Sequence, residues 1–143
     1  EDRTGVGPVR VTCDMQLVSQ SLINLVKNAA ESVQAVIIDG KLSDGIIRVS
    51  LEQTQNGSTV ITINDNGLGY PVELLPKLAE PYVTTREKGT GLGLAIVKKI
   101  MEDHGGQLVL SNGEGSEELS GAKAQMIFPP PSISAVPPGE APV

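Results

Sequence analysis

The stretch Gly89-Thr90-Gly91-Leu92-Gly93-Leu94 places three alternating glycines at the start of an amphipathic helical pattern that runs from Leu92 to Asp103. The first turn of a helix has free backbone N–H groups, and glycine lets an anion approach them closely. A flexible hinge before a helix is the simpler interpretation of such a run. The position of the glycines at the helix start favours a phosphate site formed by this stretch.

A second glycine cluster, Asp65-Asn66-Gly67-Leu68-Gly69, follows a strand pattern over residues 59–64. Asp-Asn-Gly at the end of a strand is also an ordinary turn sequence. In a binding site, the Asp65 carboxylate would accept a hydrogen bond from an exocyclic amine such as that of adenine. Gly67 and Gly69 would let the backbone lie against a flat base. The two clusters together indicate a nucleotide site.

Two asparagines, Asn24 and Asn28, lie four residues apart in a helical pattern that extends from Met15 to about Ala35. Residues with this spacing project from one side of a helix, which Lys27 and Glu31 share. A solvated polar face is the simpler interpretation. In a nucleotide site, the amide oxygens would instead join the shell of a Mg²⁺ ion bound mainly by phosphate and water.

Four polar residues lie between the glycine clusters in this acidic chain: Thr84, Thr85, Arg86 and Lys88. A loop of this composition can close over phosphates. Arg86 is the best candidate for a contact, because its planar guanidinium can bind phosphate oxygens in pairs. A solvated loop is an equally good interpretation of the stretch by itself.

Composition restricts the possible functions. The chain has 143 residues and a formal net charge of −6, which argues against nucleic acid as a partner. Cys13 is the single cysteine, so no intramolecular disulfide is possible, and we expect it to be buried. The sequence has no apolar run of membrane-spanning length and no signal-peptide pattern. It also lacks the Gly-Lys-Ser/Thr motif of a P-loop.

The periodicity of the apolar residues predicts one domain over residues 1–128 and a Pro-rich, disordered or extended tail over residues 129–143. Asp14 is predicted to cap the first helix. The residues of that helix expected to face the core are Val18, Leu22, Leu25, Val26, Ala29 and Val33, with Ser21 on the polar side.

The other predicted elements are a strand at 8–13, strands at 46–53 and 59–64 joined by the turn Gln55-Asn56-Gly57-Ser58, a short helix at 72–78, and strands at 107–111 and 123–128. This order predicts an α+β sandwich with helices on one face of a sheet.

Four motifs in this order resemble those of the catalytic ATP-binding domain of bacterial sensor histidine kinases, and the resemblance covers roughly residues 8–128. They are Asn24-Leu25-Val26-Lys27-Asn28-Ala29 for the N box, Asp65-Asn66-Gly67-Leu68-Gly69 for the first glycine box, Glu80-Pro81-Tyr82-Val83-Thr84-Thr85 for the F box and Gly89-Thr90-Gly91-Leu92-Gly93-Leu94 for the second glycine box. The stretch from Glu80 to Gly93 looks most like nitrogen-regulation sensors of the NtrY and NtrB type. Tyr82 replaces the usual phenylalanine, and Glu31 stands where many relatives have a basic residue.

The resemblance implies the Bergerat fold shared with gyrase, Hsp90 and MutL, a two-layer α/β sandwich in which about three helices cover one face of a mixed, mostly antiparallel sheet. It implies that Asp65 accepts from the adenine amine and that Asn28 helps to hold Mg²⁺, with Asn24 on the phosphate side. It also implies that Gly67 and Gly69 back the base and that Gly91 and Gly93 approach the phosphates. Arg86 would match the basic residue that reaches the terminal phosphate.

By resemblance, the chain binds ATP with Mg²⁺ and transfers the γ-phosphate to a histidine on a separate dimerisation and phosphotransfer domain of a parent kinase. That kinase feeds a response regulator. The single histidine, His104, lacks an acceptor motif, and we expect it to provide polarity at a helix C-terminus. The expected location is the cytoplasm, with no membrane contact by this domain, for a parent that can be anchored in the bacterial inner membrane.

The alternative is an ATP-hydrolysing clamp of the Hsp90, MutL or gyrase type. Asn24 weighs against it, because those relatives carry a catalytic glutamate at this position.

Overall fold

Two α-helices, a 3₁₀ helix and four strands make up the part of the chain that a computed structural model describes, residues 9–40, 44–81, 93–113 and 119–130. In chain order they are α1 (Met15–Ile38), β1 (Ile47–Gln53), β2 (Thr59–Asp65), the 3₁₀ helix (Val72–Lys77), α2 (Gly93–Asp103), β3 (Gln107–Asn112) and β4 (Ala122–Phe128). Each of these matches an element expected from the sequence to within a few residues.

The four strands form one sheet in the order β1-β2-β4-β3. Each neighbouring pair is antiparallel, so the sheet has no parallel pair within the described residues. The resemblance implied a mixed, mostly antiparallel sheet. The predicted hairpin joins β1 to β2. Its turn is closed by the Thr54 N–H, which donates to the Ser58 carbonyl at 2.8 Å, and Gly57 has a φ of +88°.

One face of the sheet packs against the helices, which confirms the predicted α+β sandwich. Alternate residues of β2 and β4 point to this face because successive side chains of a strand point to opposite sides. The core that they share with the helices consists of Val18, Leu25, Ala29, Ile63, Val97, Met101, Ala124, Met126 and Phe128. Full burial of one such aliphatic side chain contributes roughly 1.5–3 kcal/mol.

The inward side of α1 differs from the prediction at two positions. Val26 was expected in the core and is 37% exposed, whereas Ser21 was expected in solvent and is fully buried. At 100° per residue, Ser21 lies roughly 40° from Leu25, at the edge of the buried arc of α1. Its hydroxyl donates to the Leu17 carbonyl at 3.0 Å, so its burial leaves no donor unsatisfied.

The predicted strand at 8–13 is wrong for residues 9–13, which form no regular element. Alternating side chains suit a strand, but a strand exists only where another strand pairs with its backbone, and none of the described strands does so here. Cys13, expected to be buried, is exposed. Asp14 caps α1 as predicted, since its carboxylate accepts from the Leu17 N–H at 3.0 Å.

His104 follows α2 and connects the end of that helix to the start of α1. Its Nδ1 lies 2.7 Å from the Ile100 carbonyl, so Nδ1 carries the proton. Its Nε2 accepts from the Asp14 N–H at 2.9 Å. The ring also meets Phe128 edge to face, and Gly105 adopts a left-handed conformation with a φ of +73°.

Some expectations concern residues outside the described ranges: those for Thr84, Thr85, Arg86 and Lys88, for residues 89–92 of the second glycine box, and for the tail from residue 131 onward. Among the described helices, none has the length and apolar character needed to cross a bilayer.

Candidate nucleotide-binding site

A cavity of about 240 Å³ lies between α1 and the helix-facing side of β2 and β4. Most of its lining is aliphatic, as expected for a site that holds a flat, weakly polar ring. The lining residues are Leu25, Asn28, Ala29, Glu31, Ser32, Ala35, Ile63, Asp65, Leu68, Gly69, Tyr70, Pro71, Leu78, Leu94, Ala122 and Ala124. The polar groups are few and lie on α1, at the end of β2 and in the loop that follows it.

Asp65 is the buried carboxylate of this cavity, with only 1% of its surface exposed. It is the last residue of β2, and its Oδ1 accepts from the Gly67 N–H at 2.8 Å and the Ala122 N–H at 3.1 Å. The Ser32 hydroxyl lies 3.4 Å from the same oxygen. Burial raises the pKa of Asp65 above its ordinary value, and these three hydrogen bonds partly counteract the increase. The donors fix the orientation of the carboxylate.

Two glycines allow the backbone to pack tightly around Asp65. A Cβ on Gly67 would overlap the Ser32 side chain and backbone, and the Leu68 N–H donates to the Ser32 carbonyl at 3.3 Å. A Cβ on Gly121 would overlap Asp65 Oδ1, and the Gly121 N–H donates to the Asp65 carbonyl at 2.9 Å. The loop after β2 is therefore held between α1 and the start of β4.

Tyr70 extends the polar part of the wall beyond Asp65. It lines the same cavity, and its backbone follows Gly69, which has a φ of +79°. Burial, together with the negative charge of Asp65, raises the pKa of Tyr70 well above the usual value of a phenol. The hydroxyl therefore stays protonated, and it can act as a hydrogen-bond donor.

The structure brings together four of the residues expected at the site, Asn28, Asp65, Gly69 and Leu94, which all line the cavity. Other expected residues lie near it but not in its wall. Asn24 is half-buried one turn before Asn28, Lys27 is exposed, Gly67 packs against α1, and Gly93 is the first residue of α2. Outside the described residues lie Thr84, Thr85, Arg86, Lys88, Gly89, Thr90, Gly91 and Leu92.

Sequence reasoning missed three parts of the site: Ser32, Tyr70 and the Gly121–Ala122 pair. Ser32 follows Asn28 by four residues, so the same helical spacing could have identified it. Tyr70 directly follows the first glycine box. Ala122 had no comparable local signal, because 57 residues separate it from Asp65.

The donor set is compatible with a magnesium ion held mainly by a nucleotide. Among the described residues, no group of three or more His, Cys, Asp or Glu side chains could hold a metal ion. Mg²⁺ keeps much of its water and uses one or two protein oxygens beside substrate phosphates. An amide oxygen from Asn28 on the cavity wall fits that requirement.

Comparisons of the sequence and of the structure with known proteins identify the same group, histidine kinases. Residues 13–132 match the family described as histidine kinase-, DNA gyrase B-, and HSP90-like ATPase. The chain is 57% identical over 99 residues to the nitrogen regulation protein NtrY of Azorhizobium caulinodans, which covers 69% of the chain and 13% of that protein. It is 43% identical over 95 residues to the sensory histidine kinase/phosphatase NtrB of Rhizobium leguminosarum, which covers 61% of the chain and 24% of that protein.

Among solved structures, the catalytic domain of histidine kinase ThkA in a nucleotide-free form superposes with a TM-score of 0.71 at 33% identity. The match covers 90% of this chain and 77% of that one. By contrast, the chain spans only 13% of the length of NtrY and 24% of that of NtrB.

Proposed function

Because this chain belongs to the histidine kinase-, DNA gyrase B- and HSP90-like ATPase family, we propose that it binds ATP with Mg²⁺ and transfers the γ-phosphate to a histidine of a separate domain. The observation that carries this proposal is the oriented, buried Asp65 carboxylate on the wall of an otherwise largely aliphatic cavity. The similarity to NtrY and NtrB favours the histidine kinase branch of the family.

Asp65 recognises the base in this proposal. Three donors converge on Oδ1, and Oδ2 accepts from the exocyclic amine of adenine. Guanine would place a carbonyl oxygen at this point, against a carboxylate. Gly69 contributes the backbone on one side of the base, and Gly67 lets the loop pack close enough to α1 to hold Asp65 in place.

The phosphates lie toward the start of α2 and the exposed side of α1. Asn28 is the protein ligand that would hold Mg²⁺ beside the phosphates, and the ion would neutralise their charge. We assign phosphate contacts to Asn24 and Lys27 on α1 and to Gly93 and Leu94 at the start of α2. Further contacts are assigned to the polar and glycine-rich residues before them, namely Thr84, Thr85, Arg86, Lys88, Gly89, Thr90, Gly91 and Leu92.

The acceptor histidine belongs to another part of the parent kinase. His104 is unsuited to the role, because one ring nitrogen faces the Ile100 carbonyl and the other accepts from the Asp14 N–H. Catalysis by this domain is then positioning and charge neutralisation, and the nucleophile comes from the dimerisation and phosphotransfer domain. The phosphoryl group passes from there to a response regulator, and the similarity to NtrY favours nitrogen regulation as the output.

We further propose that residues 1–128 form the catalytic domain and that residues 129–143 are a tail outside it. The domain would work in the cytoplasm without contacting a membrane or nucleic acid itself, and ADP is the product that it releases. Hydrolysis by a clamp of the Hsp90 or MutL type is disfavoured by Asn24, since an amide one turn before Asn28 cannot act as a general base.

The phosphotransfer proposal is tested by mixing this chain with the helical acceptor domain of a related NtrY protein and γ-labelled ATP. We expect acid-labile phosphate on the acceptor domain and little free phosphate without it. Transfer should be lost when the acceptor histidine is replaced by glutamine. Bound nucleotide with no transfer to the acceptor, or rapid hydrolysis by the isolated chain, would contradict the proposal.

A further inference from the structure

We propose that Tyr70 is a specificity-determining residue of this site, and that its hydroxyl donates a hydrogen bond to the ring nitrogen N1 of adenine, next to the amine that Asp65 binds. This inference rests on the nucleotide site proposed above. It identifies the group of the chain that forms a hydrogen bond with N1 of adenine.

The backbone of Tyr70 is fixed by a two-point contact with Asn112, the last residue of β3. The Tyr70 N–H donates to Asn112 Oδ1 at 2.7 Å, and Asn112 Nδ2 donates to the Tyr70 carbonyl at 3.0 Å. The Asn112 side-chain amide thus makes the two backbone hydrogen bonds that a neighbouring strand would otherwise make. It anchors Tyr70 to the edge of the sheet. Because the backbone is anchored, the phenol can occupy only a limited range of positions. A residue that selects a ligand needs such a fixed position.

The Tyr70 side chain shares the cavity with Asp65, and the charge of that carboxylate acts on the phenol. Together with burial, this charge raises the pKa of Tyr70, so that the hydroxyl keeps its proton. A neutral phenol in the same cavity as a carboxylate supplies one donor and one acceptor to that cavity. Adenine presents the complementary pair, an amine donor next to the N1 acceptor, whereas guanine presents a carbonyl next to an N1–H donor.

Among the described residues of the cavity wall, three side chains can donate a hydrogen bond: Asn28, Ser32 and Tyr70. The Ser32 hydroxyl already lies 3.4 Å from Asp65 Oδ1. Asn28 projects from α1 on the side assigned to the metal and phosphates. Asp65 itself can only accept when ionised, so it cannot serve N1 as well. Tyr70 is the donor that remains for the ring nitrogen.

The experiment measures the affinity of wild type and Tyr70→Phe for ADP and for 1-deaza-ADP, in which a C–H replaces N1, by isothermal titration calorimetry. The substitution removes the hydroxyl and keeps the ring. We expect it to weaken ADP binding about 2- to 12-fold, the effect of one hydrogen bond, and to leave 1-deaza-ADP binding unchanged. A ligand control, 7-deaza-ADP, should show the same loss as ADP.

Ser50→Ala is the matched protein control, since it removes a hydroxyl from β1 opposite Thr62, on the sheet face that points away from the helices. It should bind both nucleotides as wild type does. An equal loss for ADP and 1-deaza-ADP on Tyr70→Phe, or no loss for either, would overturn the inference while leaving the nucleotide site intact. Equal affinity of the wild type for ADP and 1-deaza-ADP would also overturn it. Failure of the wild type to bind ADP at all would instead overturn the proposed function.

Discussion

At the scale of single residues, the site depends on a carboxylate that folding alone would not favour. Asp65 is almost completely removed from water, and burial raises its pKa despite three hydrogen bonds to Oδ1. A buried carboxylate is retained where a ligand compensates for it, and residues of this kind concentrate at functional sites. Under the proposed function, Asp65 lowers the stability of the nucleotide-free domain and binds the base when nucleotide is present.

Asp65→Asn should make the nucleotide-free domain more stable at neutral pH and less able to bind nucleotide. The folded-state pKa lies above the unfolded value of 3.8, so the folded wild type loses stability as pH rises from that value through the raised pKa. The neutral amide avoids this loss. Urea denaturation at several pH values should show a stability gain at pH 7 that shrinks as pH falls through the same window.

The same variant should bind ADP about 10- to 150-fold more weakly, because a hydrogen bond to a charged group is lost. Glu52→Gln removes one negative charge from an exposed position of β1 and serves as the control for net charge. Near-normal ADP affinity in Asp65→Asn would show that the carboxylate does not bind the base.

At the scale of secondary-structure elements, α1 and α2 are joined at one end by His104. The Asp14 N–H precedes α1 and the Ile100 carbonyl belongs to the last turns of α2, and the imidazole satisfies both. The two helices both line the candidate site, since Asn28 lies on α1 and Leu94 on α2. A fixed junction between them keeps the two sides of the cavity in register.

His104→Ala should lower the free energy of unfolding by about 1–3 kcal/mol, because it removes two hydrogen bonds and an edge-to-face contact with Phe128. Chemical denaturation would measure the change. Lys99→Ala is the control, as it breaks an exposed pair with Asp103 on the same helix and should have little effect. Equal stability of both variants would mean that the His104 contacts do not hold the helices together.

At the scale of the whole molecule, the site is closed by a segment that is remote in the sequence. Gly121 and Ala122 reach Asp65 from the start of β4, where their N–H groups donate to the Asp65 carbonyl and to its Oδ1. β4 lies beside β2 in the sheet, and that pairing brings Gly121 and Ala122 into contact with Asp65. The position of Asp65, the proposed base-binding residue, thus depends on long-range strand pairing as well as on its own loop.

Gly121→Ala should reduce both stability and nucleotide binding, since the added Cβ would overlap Asp65 Oδ1. We expect a loss of about 1–3 kcal/mol in unfolding free energy, which is typical of overpacking. Denaturation and ADP titration would measure the two effects. Ser120→Ala changes the exposed neighbouring residue and should alter neither. A stable variant with normal ADP affinity would show that the backbone can move away from Asp65 at no cost.

The sequence by itself determined the two helices, the hairpin, the final strand pair and the motifs that contain Asn28, Asp65 and Gly69. Those features are local: the periodicity of apolar residues, a capping aspartate and turn residues depend on neighbours a few positions away. Only the tertiary structure decided that Ser21 is buried, that Cys13 is exposed and that residues 9–13 form no strand. It alone brought Asn112 to Tyr70 and Ala122 to Asp65, because contacts across 42 and 57 residues follow from strand order and register, which no local pattern encodes.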